Sequence, residues 1–231
     1  MKTKAYLVAG YKSWNHRIFD EVISKYPGQW HFIGKQEQLT MEEVRLLDPR
    51  YIFFLHWSWM VPAEIVNKYE CVCFHMTDVP YGRGGSPLQN LILRGHENTR
   101  LTALKMVEEL DAGPVYLKED LYIGSGSAEK IYIRATYKAA EMIKRITSEE
   151  PEPVPQEGKV TIFQRRQPEE SEIPDLKSLQ QLHDFIRMLD AEGYPKAFLN
   201  YRGFRFEFSR SALEGGRIVA ETTITKDEGE P

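Results

Sequence analysis

Apolar positions in the first third of the chain come in short runs separated by helical patterns. "KAYLVAG" (4–10) is mostly apolar and ends in glycine, which predicts a buried strand. In "SWNHRIFDEVISKYPG", Ile18, Val22 and Ile23 recur at helical spacing, and Pro27-Gly28 stops the helix. "QWHFIG" predicts a second strand. "TMEEVRLLDP" predicts a helix with a Thr cap and an acidic first turn. "RYIFFLHW" is a fully apolar third strand, "PAEIVNKYE" a helix opened by Pro62, and "CVCFHM" a fourth strand. Strand and helix alternating at such short intervals predict an α/β fold, a parallel or mixed sheet with helices on both faces. Ligands of such sheets bind beyond the carboxyl ends of the strands, and His56 and His75 fall at two of those ends.

The pattern changes after residue 75. "TDVPYGRGGSP" is rich in proline and glycine and predicts a loop. "SPLQNLILRG" follows as a short helix with a Ser cap. "TRLTALKM" and "VYLKEDLYI" predict strands on either side of "VEELDAGP". Ser127 to Glu150 is a long amphipathic helix. "PEPVPQEG" (151–158) reads as a linker by composition. Beyond it stand one helix, "SLQQLHDFIRMLDAEGYP", and two strand candidates, "AFLNYRGFRFEFSRS" and "GRIVAETTI", which predict a small α+β appendage. The expected organisation is a catalytic domain over 1–150, a linker over 151–158 and a C-terminal subdomain over 159–231, with a disordered tail from about 225.

Composition narrows the function classes. A chain of 231 residues accommodates one substantial α/β domain and a small addition. The net charge of −4 argues against a broad nucleic-acid surface but leaves room for a local basic pocket. Cys71 and Cys73 are one residue apart on a strand, where a mutual disulfide is not expected. That fits a reducing cytoplasm, and no Cys/His spacing implies a zinc site. The N-terminus reads as a strand, not a leader, and no apolar run approaches the ~18 residues that span a bilayer.

Taken singly, the candidate chemical residues are ordinary. His75 alone reads as a histidine satisfied at a strand end. Asp111 lies in "LDAGPV", good turn chemistry in its own right. The combination says more. "FHMTDVPYGRGGSP" is followed by "LDAGPVYLKEDL", which places Asp111 36 residues after His75. This pairing resembles the folate-dependent formyltransferases, which act on glycinamide ribonucleotide, methionyl-tRNA or nucleotide-linked amino sugars. Their pattern is an Asn-x-His-x-Ser strand end, a Leu-Pro-x-x-Arg-Gly-x-x-Pro loop and a Leu-Asp-x-Gly turn. The matching stretches are Cys73 to Thr77, Val79 to Pro87 and Leu110 to Gly113. "NTRLTALKM" is similar to the family's Thr-Gly-Val-Thr segment, with Arg100 at the glycine. "LHWSWMVPAEIV" is similar to the stretch where pterin is held mainly by backbone groups. The likeness covers most of 4–150, and "IRMLDAEGYPKAFLNYRG" resembles the start of the small C-terminal domain in several members.

The resemblance implies a Rossmann-like formyltransferase domain using N10-formyltetrahydrofolate and no metal. It implies His75 and Asp111 as catalytic residues, one stabilising an oxyanion or relaying a proton, the other fixing its tautomer. Trp59, Met60, Val61, Val107 and Leu110 would contact the folate, and Arg83, Gly84 and Gly85 the acceptor. Arg83 as a plain salt bridge across the loop, and Trp57 or Trp59 as core packing, are readings of equal standing. Cys73 departs from the pattern, because a thiol is a weaker donor than the family's Asn amide. Three readings follow: Cys73 substitutes weakly in an active enzyme; another donor such as Asn90 or a backbone N–H takes over; or transfer is lost and the domain only binds. The acidic charge and small appendage favour a nucleotide-linked amino sugar as acceptor, with no nucleic-acid or membrane partner. The alternatives are a methionyl-tRNA formyltransferase-like enzyme, a non-catalytic folate- or nucleotide-binding domain, and a hydrolase releasing formate. A homodimer through the C-terminal segment and a cytoplasmic location complete the expectations.

Overall fold

A computed structural model describes residues 3–226. The elements in chain order are β1 (Ala5–Ala9), α1 (Ser13–Glu21), β2 (Gln29–Ile33), α2 (Met41–Leu47), β3 (Tyr51–Phe54), α3 (Ala63–Lys68) and β4 (Cys71–His75). There follow β5 (Arg83–Gly84), α4 (Pro87–Leu93), β6 (Asn98–Lys105), β7 (Val115–Tyr122), α5 (Ala128–Glu149) and β8 (Ile162–Phe163). The chain closes with α6 (Leu179–Leu189), β9 (Ala197–Tyr201), β10 (Phe204–Glu214) and β11 (Arg217–Lys226).

The chain forms two compact units. The first takes residues up to Gly84, Thr99–Leu121 and Ile133–Ile162. It holds a six-stranded sheet in the order β2-β1-β3-β4-β6-β7. The first four strands are parallel, while β6 runs antiparallel to β4 and pairs His75 with Thr102. The sheet is therefore mixed.

Period-two alternation sorts the strand residues between the two faces. Leu7, Ala9, Ile52, Phe54 and Cys71 point to one face and are covered by Val44 of α2 and Ile65 of α3. Tyr6, Phe53 and Phe74 point to the other. There Trp30 stacks on Tyr6 with centroids 4.6 Å apart, and Phe53 lies 6.4 Å from Phe74. Ala135, Thr136 and Ala139 of α5 close over Leu55, Phe74 and Leu101 on this side. Each fully buried Leu, Ile or Phe contributes roughly 1.5–3 kcal/mol, so both faces are needed to hold the sheet.

The second unit takes Gly85–Asn98, Tyr122–Tyr132 and Phe163 onward. Its sheet has the order β11-β10-β9, all antiparallel. "AFLNYRGFRFEFSRS" is thus a hairpin of two strands where one was expected, and Arg202 and Gly203, both at positive φ, make its turn. The Gln89 amide of α4 donates to the Met188 carbonyl of α6 and to the Tyr132 hydroxyl. Arg187 is buried at 4% exposure because its guanidinium donates to the Ile123 and Gly126 carbonyls and pairs with Asp184. Thr225 and Lys226, at the start of the tail expected to be disordered, are strand residues of β11, and residues 227–231 lie outside the described residues.

Local signals account for some element ends. Thr40 Oγ1 accepts from Glu43 N, as its capping position requires. Ser86 does not cap α4 in the expected way. It sits at φ 47°, and its hydroxyl accepts from Arg166 N instead. Among the described residues no helix is long and apolar enough to cross a membrane.

Candidate active site

His75 is the last residue of β4, and the loop behind it folds back over its ring. Its Nε2 lies 2.7 Å from the Gly82 carbonyl oxygen. A carbonyl only accepts, so Nε2 carries hydrogen. Nδ1 faces Asp111 Oδ2 at 3.5 Å, and the two side chains are only 9% and 11% exposed. The same carboxylate oxygen accepts the Gly84 N–H at 3.0 Å. Thr77 Oγ1 also donates to the Gly82 carbonyl, and Thr102 of β6 donates to the Thr77 carbonyl at 2.7 Å. Strand end, loop and neighbouring strand are thereby fixed to one another.

Asp111 owes its position to a strained turn. It stands at φ 53°, a left-handed conformation that Asp tolerates better than most residues. Two residues later the backbone passes so close to β6 that a Cβ on Gly113 would lie 1.7 Å from the Lys105 carbonyl oxygen. Only glycine fits there. Val107 lies against the same turn, 3.5 Å from that Cβ position.

Arg83 is held at both ends of its guanidinium. Nε donates to Gln156 Oε1 at 3.1 Å and Nη1 to Glu109 Oε1 at 3.2 Å. The Gln156 amide in turn donates to the Asp111 and Gly113 carbonyls, both at 2.8 Å. Gln156 belongs to the stretch that reads as a linker. In the structure that stretch is a strap in the first unit. Val154 N donates to the Val115 carbonyl at 2.8 Å, and the Val154 carbonyl accepts from Val115 N at 2.7 Å.

Cys73 lies two residues before His75 on β4. Burial, then the neighbouring Asp111 carboxylate, push its thiol well above the ordinary range. It stays neutral and is no nucleophile. Burial likewise raises Cys71, to about 12.

A second cluster forms beyond β1 and β3. Trp59 packs edge-on against Tyr11 at 4.7 Å and Trp57 at 4.9 Å, and Tyr11 hydrogen-bonds Ser58. Trp57 leans on Phe54 of the core. Beside them His56 Nδ1 lies 3.2 Å from the Asn15 amide, and burial, reinforced by Lys12, lowers its pKa to about 4. His56 is a neutral structural group joining β3 to α1 and to Thr136 of α5.

Comparison with known proteins converges on one family. A family model for the C-terminal domain of methionyl-tRNA formyltransferase matches residues 168–225. The methionyl-tRNA formyltransferase of Bacillus cytotoxicus is 29% identical over 176 residues, 73% of this chain and 55% of its own length. The chain thus spans about half the length of that curated relative. A solved structure described as methionyl-tRNA formyltransferase from Clostridium thermocellum superimposes with TM-score 0.91 at 44% identity, covering 96% of this chain and 99% of that one. The chain belongs to the formyltransferase family. A 4-N formyltransferase from Francisella tularensis shares the fold at 16% identity, with TM-score 0.67 over 94% of this chain and 96% of that one.

Within this family framework, the expected residues divide in two. His75, Asp111, Cys73, Arg83 and Gly84 come together around the end of β4. Of the expected folate contacts, Met60 is 83% exposed, Leu110 64% and Val107 40%, whereas Val61 is a core residue at 8%. Gly85 belongs to the second unit, where its N–H donates to the Phe163 carbonyl and the Arg165 backbone leaves no room for a Cβ. Asn90, the suggested substitute donor, is committed there too: its amide donates to the Gly85, Ser86 and Gln164 carbonyls. Gln156 escaped sequence reasoning altogether. The one signal was local, a proline-x-proline-x-proline run that leaves Val154 and Gln156 as alternating non-proline positions on an extended chain. Among the described residues no group of three or more His, Cys, Asp or Glu could hold a metal ion.

Proposed function

We propose that this protein moves the formyl group of N10-formyltetrahydrofolate to a primary amine, with methionyl-tRNA as the acceptor. The observation that carries the reading is the buried His75–Asp111 pair at the end of β4, its carboxylate shared with the Gly84 N–H. The neutral amine attacks the formyl carbon, and a tetrahedral oxyanion forms. The new N–C bond then replaces the bond to N10, and the proton shed by the amine ends on N10. The His75 Nε2–H already donates to an oxygen in the resting protein. It becomes the oxyanion donor when the Gly82 carbonyl gives way. Asp111, whose carboxylate faces Nδ1 at 3.5 Å, stabilises positive charge on the ring during proton transfer, assistance of the order of 10²–10⁴-fold. Cys73, a neutral thiol, contributes a weak donor in place of the amide. Trp59 and Met60, with Val107 and Leu110, form the folate side, and Arg83 with Gly84 the acceptor side.

The acceptor reading rests on likeness over nearly the whole chain to a protein named for methionyl-tRNA. The expectation of no nucleic-acid partner loses its support with it, because the net charge of −4 describes the whole chain and not a local surface. The same acidic balance, and the fold shared with the 4-N formyltransferase, favour a second reading in which the acceptor is a nucleotide-linked amino sugar. Incubation with N10-formyltetrahydrofolate and each acceptor in turn, following tetrahydrofolate release and the mass of the product, separates the two. His75→Ala is the control. Folate binding without transfer to either acceptor would leave a binding domain, and formate release without acceptor a hydrolase.

A further inference from the structure

The Gln156 side chain uses both ends of its amide within the first unit. Nε2 donates to the Asp111 and Gly113 carbonyls, each at 2.8 Å, and Oε1 accepts from Arg83 Nε at 3.1 Å. The two carbonyls flank a turn whose first residue is in a strained left-handed conformation and whose third is jammed against Lys105. Released from Nε2, the Asp111 peptide can rotate, and its carboxylate moves away from His75 Nδ1 and the Gly84 N–H. Gln156 is itself anchored, because Val154 is bonded to Val115 of β7 through both backbone groups.

We propose that Gln156 is a positioning residue that aims the Asp111 carboxylate at His75, and that the 151–158 strap is the device that delivers it. The inference rests on the transferase reading for its consequence in rate but not for its geometry. Gln156 touches neither folate nor acceptor; it acts through the turn. Two neutral hydrogen bonds are lost when the amide is removed, which corresponds to a fall in kcat of roughly ten- to thirtyfold with little change in KM for the folate.

Three variants test it. Gln156→Met removes both ends of the amide at similar shape. Gln156→Glu keeps an acceptor for Arg83 but sets a carboxylate against the two carbonyls. Leu46→Ala, exposed on α2 and outside both the strap and the site, is the control. The readouts are kcat and KM for transfer, the thermal midpoint, and the ring-nitrogen NMR signals of His75. The expected result is a fall in kcat for both Gln156 variants, at least as large for Glu as for Met, with displaced His75 signals and Leu46→Ala unchanged. If Gln156→Glu keeps full kcat while Gln156→Met loses it, the residue acts through Arg83 and the proposal is overturned. If kcat and the His75 signals hold while only the thermal midpoint drops, the strap is merely structural, which also overturns it. A wild-type protein that formylates nothing defeats the reading of the site. The His75 signals then decide the positioning role independently.

Discussion

The closest backbone approach at the 110–113 turn gives the sharpest test. A Cβ on Gly113 would stand 1.7 Å from the Lys105 carbonyl oxygen, whereas real Cβ atoms essentially never come within 3.0 Å of such an atom. The obstacle is backbone at the end of β6, the strand that pairs with β4, and cannot swing aside like a flexible side chain. Gly113→Ala therefore requires the turn to back away from β6 by at least 3.0 − 1.7 = 1.3 Å. Overpacking of this kind costs typically about 1–3 kcal/mol, a fall in Tm of roughly 2–10 °C for a chain of this size. The catalytic cost is the greater one. Asp111 is two residues away, and a displacement of about 1 Å at a catalytic group costs on the order of 10²-fold in rate. The assay is formyl transfer together with a thermal melt. Gly34→Ala serves as control, since its Cβ would meet only Phe32 at 3.5 Å and the Gly10 carbonyl at 4.0 Å. If Gly113→Ala melts within a degree of the parent and retains its rate, the turn is not held against β6 as described and the argument fails.

Three further outcomes follow. Asp111→Asn and His75→Ala should each lower kcat by on the order of 10²–10⁴-fold while folate binding, read by fluorescence quenching, survives; undiminished turnover in either removes the pair from the mechanism. Cys73→Asn restores the family's amide beside His75 and should raise kcat, by roughly tenfold if the thiol contributes little; a fall in kcat would mean that the thiol's small size is what the site needs. His56 is neutral in the folded protein, its pKa held near 4 against 6.5 when unfolded. The unfolded chain therefore binds the extra proton first. Stability is unaffected by this group above pH 6.5, drains away as pH falls from 6.5 towards 4, and is lower by about 3 kcal/mol below that. Urea unfolding at pH 7 and pH 4.5 should show a smaller drop for His56→Gln than for the parent; equal drops would mean that His56 is not buried neutral.

The sequence carried the sheet because its strands are apolar runs of the right length, punctuated by Gly10, Pro27-Gly28 and Pro49. It carried the His75 and Asp111 pairing because two short motifs had to occur together. It could not carry the reversal of β6, since strand direction leaves no trace in an apolar run such as "TRLTALKM". The hairpin at Arg202-Gly203 was hidden by unbroken alternation on both sides of a two-residue turn. Composition made 151–158 look like a spacer: three prolines and no periodicity describe an extended chain, and an extended chain can equally well be pinned along a strand. Ser86 read as a cap because serine usually is one; its hydroxyl was claimed by a residue eighty positions away.

The composition of the second unit bears on how such proteins can be rebuilt. Three separate stretches of chain supply it, and Gln89 and Tyr132 from the two earlier ones depend on the late helix α6 or on each other for their bonding. A fragment cut within the strap would strip α4 of its partner and leave Leu88, Leu91 and Ile92 facing solvent. The C-terminal region is therefore not an interchangeable module: a chimera that swaps it must carry the matching α4 and the 122–132 segment as well.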